Sequence, residues 1–153
     1  MVRRMSYDAP FAGLKVIDLS QGIAGPYCAM LLAQHGAHVI KVEGIGEGDW
    51  ARTLGTRYGN HSAFSVIGNL GKRSVAVDLK SDSGKQVVWR LLKGADVFLE
   101  GFRPGVIKRL GFDYETVTAR DPGFSISRSQ GSAKADRWRS GRRWIRCCRP
   151  IPD

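Results

Sequence analysis

The chain has 153 residues, 42% of them hydrophobic, which is enough for one modest domain with its own core. No apolar run approaches the length of a membrane span, and the amino terminus lacks the apolar segment of a secretory signal. The three cysteines show neither metal-ligand nor disulfide-framework spacing, so we expect a reducing cytoplasm and no metal. The net charge of +10 is concentrated in residues 125–153, which hold eight Lys or Arg residues against two Asp.

The first periodic region predicts a strand, a glycine turn, a helix and a second strand. Residues 14–20 are apolar and β-branched, residues 27–34 favour helix, and residues 37–43 are again strand-like. Gly25 is a fair helix N-cap, and Pro26 suits the first helical position. The pattern indicates one βαβ unit of a parallel sheet, with the helix starting at the carboxyl end of the first strand.

A second βαβ unit is predicted after a long connection. Residues 44–62 are glycine-rich and polar, which indicates a loop, and residues 61–68 favour a short helix or an apolar turn. Residues 74–80 alternate as a strand does. Ser81–Gly84 is typical of a helix start, and the fourth strand is predicted over residues 97–100.

The rest of the chain divides into a structured part and two flanks. A turn at residues 102–105 precedes two short predicted helices, the first within residues 106–111 and the second within 112–123. These cues predict an α/β fold with a doubly wound parallel sheet. We expect residues 1–11 to be a leader with little structure and residues 124–153 to be an unstructured tail, because neither shows a helical or strand period.

Four motifs carry a family resemblance. They are GLKVIDLSQGIAGP, GAHVIKVE with GEGD, NLGKRSVAVDLK, and ADVFLEGFRPGVIKRLGFDYE. In order and spacing over roughly residues 11–123, they resemble the class III CoA-transferases, the family of formyl-CoA transferase, carnitine CoA-transferase and alpha-methylacyl-CoA racemase. Residues 12–123 would then be the amino-terminal part of a Rossmann-like large domain, with an incomplete sheet.

The resemblance also implies a chemistry and an assembly. The family moves coenzyme A between an acyl-CoA and a carboxylic acid through an aspartyl-CoA thioester, whereas its racemase branch epimerises an acyl-CoA through an enolate. Two chains thread through each other as an interlocked homodimer, each with a second, smaller domain. This implied role involves no nucleic acid and no membrane.

Carried over position by position, the resemblance implies a CoA site at the strand ends. Near the reacting end, the thioester would be lined by Gln21, Ile23 and Ala24. The nucleotide would lie by Asp78, Leu79 and Lys80, with Lys80 offering its charge to a phosphate. The adenine or the diphosphate would be flanked by Phe102 and Arg103, and Arg109 would pair with a phosphate. We also expect Gly25 and Arg109 to lie on the same face of the sheet. Gly101 stands where the family commonly has Asn, and Gln21 and Ile23 replace the His and Gln of the formyl enzyme, so formate or oxalate specificity is not supported.

No residue of the chain matches the catalytic aspartate of the transferases, whose position would fall beyond Asp153. The tail from Arg128 onwards can be back-translated so that a shifted reading frame gives the family's next motif. We therefore expect a frame change near Phe124, and a fragment inactive on its own.

The sequence is also compatible with two other functions. The chain could be a stand-alone CoA- or nucleotide-binding module, or a basic nucleic-acid binder acting through its Arg-rich tail. In the long loop, Trp50 and Tyr58 could cover a substrate or pack on a partner chain.

Overall fold

A computed structural model describes residues 9–120 in full, together with the backbone of two short strands beyond them. In chain order the elements are β1 (Lys15–Asp18), α1 (Ala24–Gln34), β2 (His38–Glu43), a 3-10 turn (Trp50–Thr53), β3 (Arg57–Tyr58), β4 (His61–Ser62), α2 (Ala63–Ile67), β5 (Arg73–Ala76), α3 (Asp82–Leu92), β6 (Val97–Glu100), α4 (Val106–Leu110), α5 (Tyr114–Arg120), β7 (Ser125–Arg128) and β8 (Ile145–Arg146).

The main sheet is parallel throughout and has the strand order β5-β2-β1-β6-β7-β8. In its centre, Ile17 of β1 lies level with Ile40 of β2 on one side and Phe98 of β6 on the other. The order runs outward from β1 through β2 to β5 and then reverses to β6. This reversal is that of a doubly wound sheet, so the predicted α/β fold class is confirmed.

Helices cover both faces of the sheet. On one face, Ala29 of α1 packs with Val16, Val39 and Leu99. The opposite face carries the larger cluster, to which α3, α4 and α5 contribute Val88, Leu92, Ile107 and Val117. The central strands are buried from both sides, which explains their nearly continuous apolar character.

The start of α1 differs from the sequence-based prediction. The helix begins at Ala24 with Ile23 as its N-cap, and no side chain caps it. Gly25 and Pro26 therefore lie inside the first turn, and their predicted N-cap and first-position roles are wrong. Proline is tolerated there because the first N–H groups of a helix have no intrahelical acceptor.

The connection over residues 44–62 is also more structured than predicted. It contains the 3-10 turn and the β3–β4 hairpin. The turn forms because the buried Asp49 carboxylate accepts a hydrogen bond from the Ala51 N–H. The predicted short helix at residues 61–68 is confirmed as α2, which the Ser62–Ser65 capping box starts.

The second predicted unit is correct in outline. Strand β6 has the predicted bounds, and the Ser81 side chain caps α3 by accepting from the Gly84 N–H. Strand β5 is shorter than predicted because it ends at Ala76. The chain then turns at Leu79 and Lys80, a turn that the hydrogen bond from the Ser81 N–H to the Asp78 carbonyl closes.

The two predicted flanks fall largely outside the described residues. Residues 9–11 of the expected leader enter a turn, and the Phe11 N–H donates to the His35 carbonyl at 3.0 Å. In the expected unstructured tail, residues 125–128 pair with β6, and residues 145–146 pair with β7. The prediction is wrong for these six residues, since the open edge of β6 offers backbone hydrogen-bonding groups that a new strand can satisfy.

Candidate functional site

The predicted site residues follow the carboxyl ends of three parallel strands. Gln21 comes after β1, Asp78 after β5 and Phe102 after β6. Parallel strands end at a common edge, and a doubly wound sheet opens a crevice at this edge where its strand order reverses. Here the reversal lies between β1 and β6.

The first group, Gln21, Ile23 and Ala24, forms the connection from β1 into α1. Gln21 is half-buried, and Ile23 and Ala24 are exposed. The group precedes the helix that covers the smaller core cluster. The three residues therefore follow the carboxyl end of β1, next to the strand-order reversal, and two of them are exposed.

The second group, Asp78, Leu79 and Lys80, forms a tight turn between β5 and α3. The Asp78 carboxylate accepts from the Lys80 N–H at 2.9 Å, and the Asp78 carbonyl accepts from the Ser81 hydroxyl at 2.9 Å. A Cβ at Gly84 would lie 1.9 Å from that carbonyl, so only glycine lets α3 start this close. Leu79 packs on the larger core cluster, whereas the Lys80 side chain is exposed.

The third group lies after β6 and on α4. The Phe102 N–H donates to the Glu100 carboxylate at 3.0 Å, and the Phe102 ring packs on the larger core cluster. Arg103 and Arg109 are both exposed. Helix α4 is started by Gly105, whose φ of 82° is in the left-handed region that favours glycine.

The structure brings two of the three groups to one face. Leu79 and Phe102 contact the same core cluster, and α4 packs on it through Ile107. Gly25 lies on α1, which covers the opposite face. The expectation that Gly25 and Arg109 share a face is therefore wrong, because right-handed crossovers that leave β1 and β6 in opposite directions place their helices on opposite faces.

A buried charge cluster lies beneath the first group, and the sequence patterns did not indicate it. It consists of Asp18, Lys41, Asp49 and Lys72, whose side chains are all at most 2% exposed. Lys72 Nζ lies 2.8 Å from Asp18 Oδ2, and Lys41 Nζ lies 2.9 Å from Asp49 Oδ2. Lys41 also lies 3.9 Å from Asp18. Two cations and two anions thus balance in the interior, as buried charges require.

The charge cluster fixes the backbone between β1 and α1. Asp49 Oδ1 accepts from the Gly22 N–H at 2.8 Å, and Lys41 donates to the Ser20 carbonyl. Lys72 donates to the Pro26 carbonyl at 2.7 Å. Burial lowers the pKa of the Lys72 ammonium, while neighbouring Asp18 favours its charged form. The cluster is therefore a support for the turn that carries Gln21 and Ile23.

Two features of the sequence could have revealed this cluster. Lys41 lies between the apolar residues Ile40 and Val42 of β2, and a lysine in a strand that helices cover on both faces must find an anion. Asp18 likewise occupies the end of an apolar strand. Pairing them with Asp49 and Lys72 requires the tertiary fold, since Lys72 lies 54 positions from Asp18.

Trp50 lies directly on the same turn. A Cβ at Gly22 would be 2.2 Å from the Trp50 Cζ2 atom, so the indole ring rests on the glycine backbone. Gly22 also has a φ of +81°, a second reason for glycine there. Trp50 nevertheless remains 52% exposed.

A separate cleft of about 330 Å³ lies beside α2 and shares no residue with the three groups. It is lined by Arg52, His61, Ser65, Val66, Asn69, Leu70 and Gly71. Arg52 in this cleft is paired with Glu43 at 2.7 Å and contacts the His61 ring at 3.1 Å. Its charge is therefore engaged within the protein.

Within the part of the chain that the structure describes, no group of His, Cys, Asp and Glu side chains has a metal-binding arrangement. No helix there combines the length and the hydropathy that a bilayer span needs.

Comparison with known proteins identifies related sequences. The family model described as CoA-transferase family III matches residues 11–131, which is most of the chain and extends past Gly123. The chain is 39% identical to the acetyl-CoA:oxalate CoA-transferase of Acetobacter aceti over 122 residues, which are 80% of this chain and 31% of that protein. It is 38% identical to the human succinyl-CoA:glutarate CoA-transferase, over 71% of this chain and 25% of that protein.

Solved structures agree with the sequence matches. The crystal structure of a CAIB/BAIF family protein from Brucella suis superposes with a TM-score of 0.75 at 36% identity, over 81% of this chain and 34% of that one. Rv3272 from Mycobacterium tuberculosis gives a TM-score of 0.72 at 35% identity, over 84% of this chain and 36% of that one. The chain therefore spans about a third of the length of these relatives.

Proposed function

The chain belongs to CoA-transferase family III, and on that premise we propose that it is the amino-terminal, CoA-binding part of an enzyme that transfers CoA between an acyl-CoA and a carboxylic acid. The observation that carries the proposal is the match over residues 11–131 to a family whose relatives named above transfer CoA. Their transferase names favour transfer over the racemase chemistry that the sequence left open.

The exposed cations at the carboxyl edge suit the charged half of CoA. Lys80, Arg103 and Arg109 are exposed, and none of them takes part in an ion pair within the described residues. Phosphate oxygens form strong charge-assisted hydrogen bonds with such groups. Strands β5 and β6 are three strand spacings apart, roughly 14 Å, a distance that an extended ligand such as CoA can cross.

The reacting end of CoA would then lie near the connection from β1 to α1. Gln21 and Ile23 flank Gly22 there, on the other side of the strand-order reversal from Arg109. The proposal therefore has CoA crossing the edge of the sheet, with its phosphates on one face and its thioester on the other. This replaces the single-face arrangement expected from the sequence.

The same proposal holds that this chain does not turn over by itself. No residue in it matches the family's nucleophilic aspartate, and the intact enzyme would be an interlocked homodimer in a reducing cytoplasm. We also propose that the reading frame changes near Phe124, which the back-translation of residues 128–153 suggests.

The test of this function is a transfer assay on the 153-residue chain. The chain is incubated with acetyl-CoA or succinyl-CoA and a carboxylic acid such as oxalate, and new acyl-CoA is measured by chromatography. We expect CoA binding without transfer. Multiple turnovers by the purified chain would contradict the proposed inactivity, and the nucleotide sequence around codon 124 would decide the reading frame.

A further inference from the structure

We propose that the indole ring of Trp50 is an apolar wall for the acyl group of an acyl-CoA, and therefore a determinant of acyl-group specificity. The inference rests on the proposed CoA-binding function and deepens it. It concerns the acyl end of the ligand, which carries no phosphate and which the exposed cations therefore do not bind.

The backbone position of Trp50 is fixed by the contacts of the preceding residue, Asp49. Its neighbour Asp49 is buried, pairs with Lys41 at 2.9 Å, and accepts from the Gly22 N–H at 2.8 Å. Asp49 is also the N-cap of the 3-10 turn that begins at Trp50. The backbone that carries the ring is thus tied to the β1–α1 connection by a buried carboxylate, and such support gives a binding side chain a defined position.

The indole ring contacts this connection, and about half of the residue remains exposed to solvent. Its benzo edge lies on Gly22, where a Cβ would be 2.2 Å from Trp50 Cζ2, while 52% of the residue remains exposed. A large aromatic side chain with a fixed backbone and an exposed surface is well suited to pack against an apolar ligand group.

Neighbouring side chains extend the apolar surface. Ile23 and Tyr27 are each 47% exposed. Ile23 is the N-cap of α1 and Tyr27 lies one helical turn further on, where its N–H donates to the Ile23 carbonyl at 2.8 Å. Ile23 directly follows the glycine that Trp50 covers. We group Ile23, Tyr27 and the Trp50 ring as an apolar strip, whose first member lies two positions after Gln21, the residue proposed to line the reacting end.

The chemistry of the ligand selects the acyl group as the occupant of this strip. CoA is charged at its nucleotide end, for which Lys80, Arg103 and Arg109 provide exposed cations. The acyl chain is the apolar end of the same molecule, and it extends past the thioester that Gln21 would adjoin. A ligand laid across the sheet edge would thus place its apolar end on Trp50.

The experiment compares butanoyl-CoA with CoA by isothermal titration of the full chain, the Trp50→Ala and Trp50→Phe variants, and the matched control Trp89→Phe. Trp89 packs against Phe112 on the opposite face of the sheet from α1. Burial of the three-carbon chain should make butanoyl-CoA bind roughly tenfold more tightly than CoA in the unaltered chain. In Trp50→Ala the two ligands should bind with about equal affinity, and the affinity for CoA should stay within about twofold of that of the unaltered chain.

The controls separate specificity from folding. Trp50→Phe should keep part of the preference because a ring remains, and Trp89→Phe should keep all of it. If Trp50→Ala fails to fold, judged by circular dichroism, Trp50→Phe decides: a full tenfold preference in that variant overturns the proposal.

Two further outcomes would also overturn it. The first is an unchanged preference in Trp50→Ala; a changed sedimentation coefficient in the same variant would then assign the strip to contact between copies of the chain. The second is an equal loss of affinity for both ligands. Absence of CoA binding by the unaltered chain would refute the proposed function itself, whereas CoA binding without these variant effects refutes only the inference about Trp50.

Discussion

Two sets of charged residues lie close to one sheet, and they differ in burial and in ion pairing. Asp18, Lys41, Asp49 and Lys72 are buried and paired with one another. Lys80, Arg103 and Arg109 are exposed and take part in no ion pair of the described region. The buried set fixes the backbone of a turn, while the exposed set is free to meet a ligand.

The comparison teaches that charge alone does not mark a binding residue. A lysine in a family motif can be a structural ion, as Lys41 is, and its loss would act through folding. A lysine at the same sheet edge can be available to phosphate, as Lys80 is. Substitution of each kind should therefore move a different measurement: the free energy of unfolding for the buried set and the CoA dissociation constant for the exposed set.

The largest effect is expected from Asp18→Asn. The substitution removes the anion that pairs with Lys72 and leaves a buried ammonium without its main partner, so the free energy of unfolding should fall by about 3–5 kcal/mol. Urea denaturation followed by circular dichroism measures this change. Glu47→Gln, at an exposed acidic position, is the matched control and should change stability by less than about 0.5 kcal/mol. Equal losses of stability in the two variants would contradict the claim that the buried charges, unlike the exposed ones, stabilise the fold.

The next effect should appear in binding and not in stability. Arg109→Gln removes an exposed cation, so CoA should bind about tenfold more weakly while the urea midpoint stays unchanged. Titration calorimetry gives the affinity. Lys108→Gln, the adjacent exposed cation of α4, is the control. If it weakens CoA binding as much as Arg109→Gln does, the attraction is a general effect of charge and not a contact at Arg109.

A smaller effect concerns a buried carboxylate that serves only its own helix. Asp113 accepts from the Thr116 hydroxyl at 2.8 Å and from the Thr116 N–H at 3.2 Å. Burial raises the pKa of Asp113, but these hydrogen bonds outweigh burial and hold it below the usual value. Asp113→Ala should lose about 1 kcal/mol of stability at neutral pH, as for other helix caps.

The pH dependence of this loss has a definite sign. Since the pKa of Asp113 is lowered in the folded chain, its stabilisation is complete above the unfolded pKa, about 3.9, and disappears as the pH falls through the folded value. Unfolding measured from pH 7 down to pH 3 should show the parent and Asp113→Ala converging in acid. A constant difference across this range would contradict the assigned hydrogen bonds.

The smallest expected effect is a pH dependence of stability that comes from Lys72 of the buried set. Burial lowers the pKa of Lys72, so between the folded value and the unfolded value of about 10.4 the unfolded chain binds more protons. The stability that the parent has relative to Lys72→Met should therefore increase as the pH rises through this window. Urea titrations between pH 7 and pH 10 measure this difference. A decrease with rising pH would mean that Asp18 controls the pKa instead of burial.

The fold was largely predictable from the sequence because its signals are local. Strand β6 is a short run of three apolar residues and Glu100 between turn residues. Ser81 is a typical N-cap residue and so predicts the start of α3. The start of α1 was mispredicted because Gly25 and Pro26 carry strong local signals for a helix boundary. The helix begins earlier, where the turn held by Asp49 and Lys41 directs the chain.

The candidate site was less predictable because its arrangement depends on distant contacts. The motifs gave Gln21, Lys80 and Arg103 as candidates, and the structure places them all at one sheet edge. Their distribution over two faces follows from the strand order, which no single motif encodes. The packing of Trp50 on Gly22 likewise joins two segments that are separate in sequence.

Titration of the 153-residue chain with CoA, with and without the paired substitution of Arg103 and Arg109 by Gln, tests the central claim most directly. We expect saturable binding of one CoA per chain. Once both arginines are replaced, binding should be roughly a hundredfold weaker, and the free energy of unfolding should be unchanged. Absence of binding, or equal affinity in the substituted chain, would contradict the claim that these exposed cations hold the phosphates of CoA.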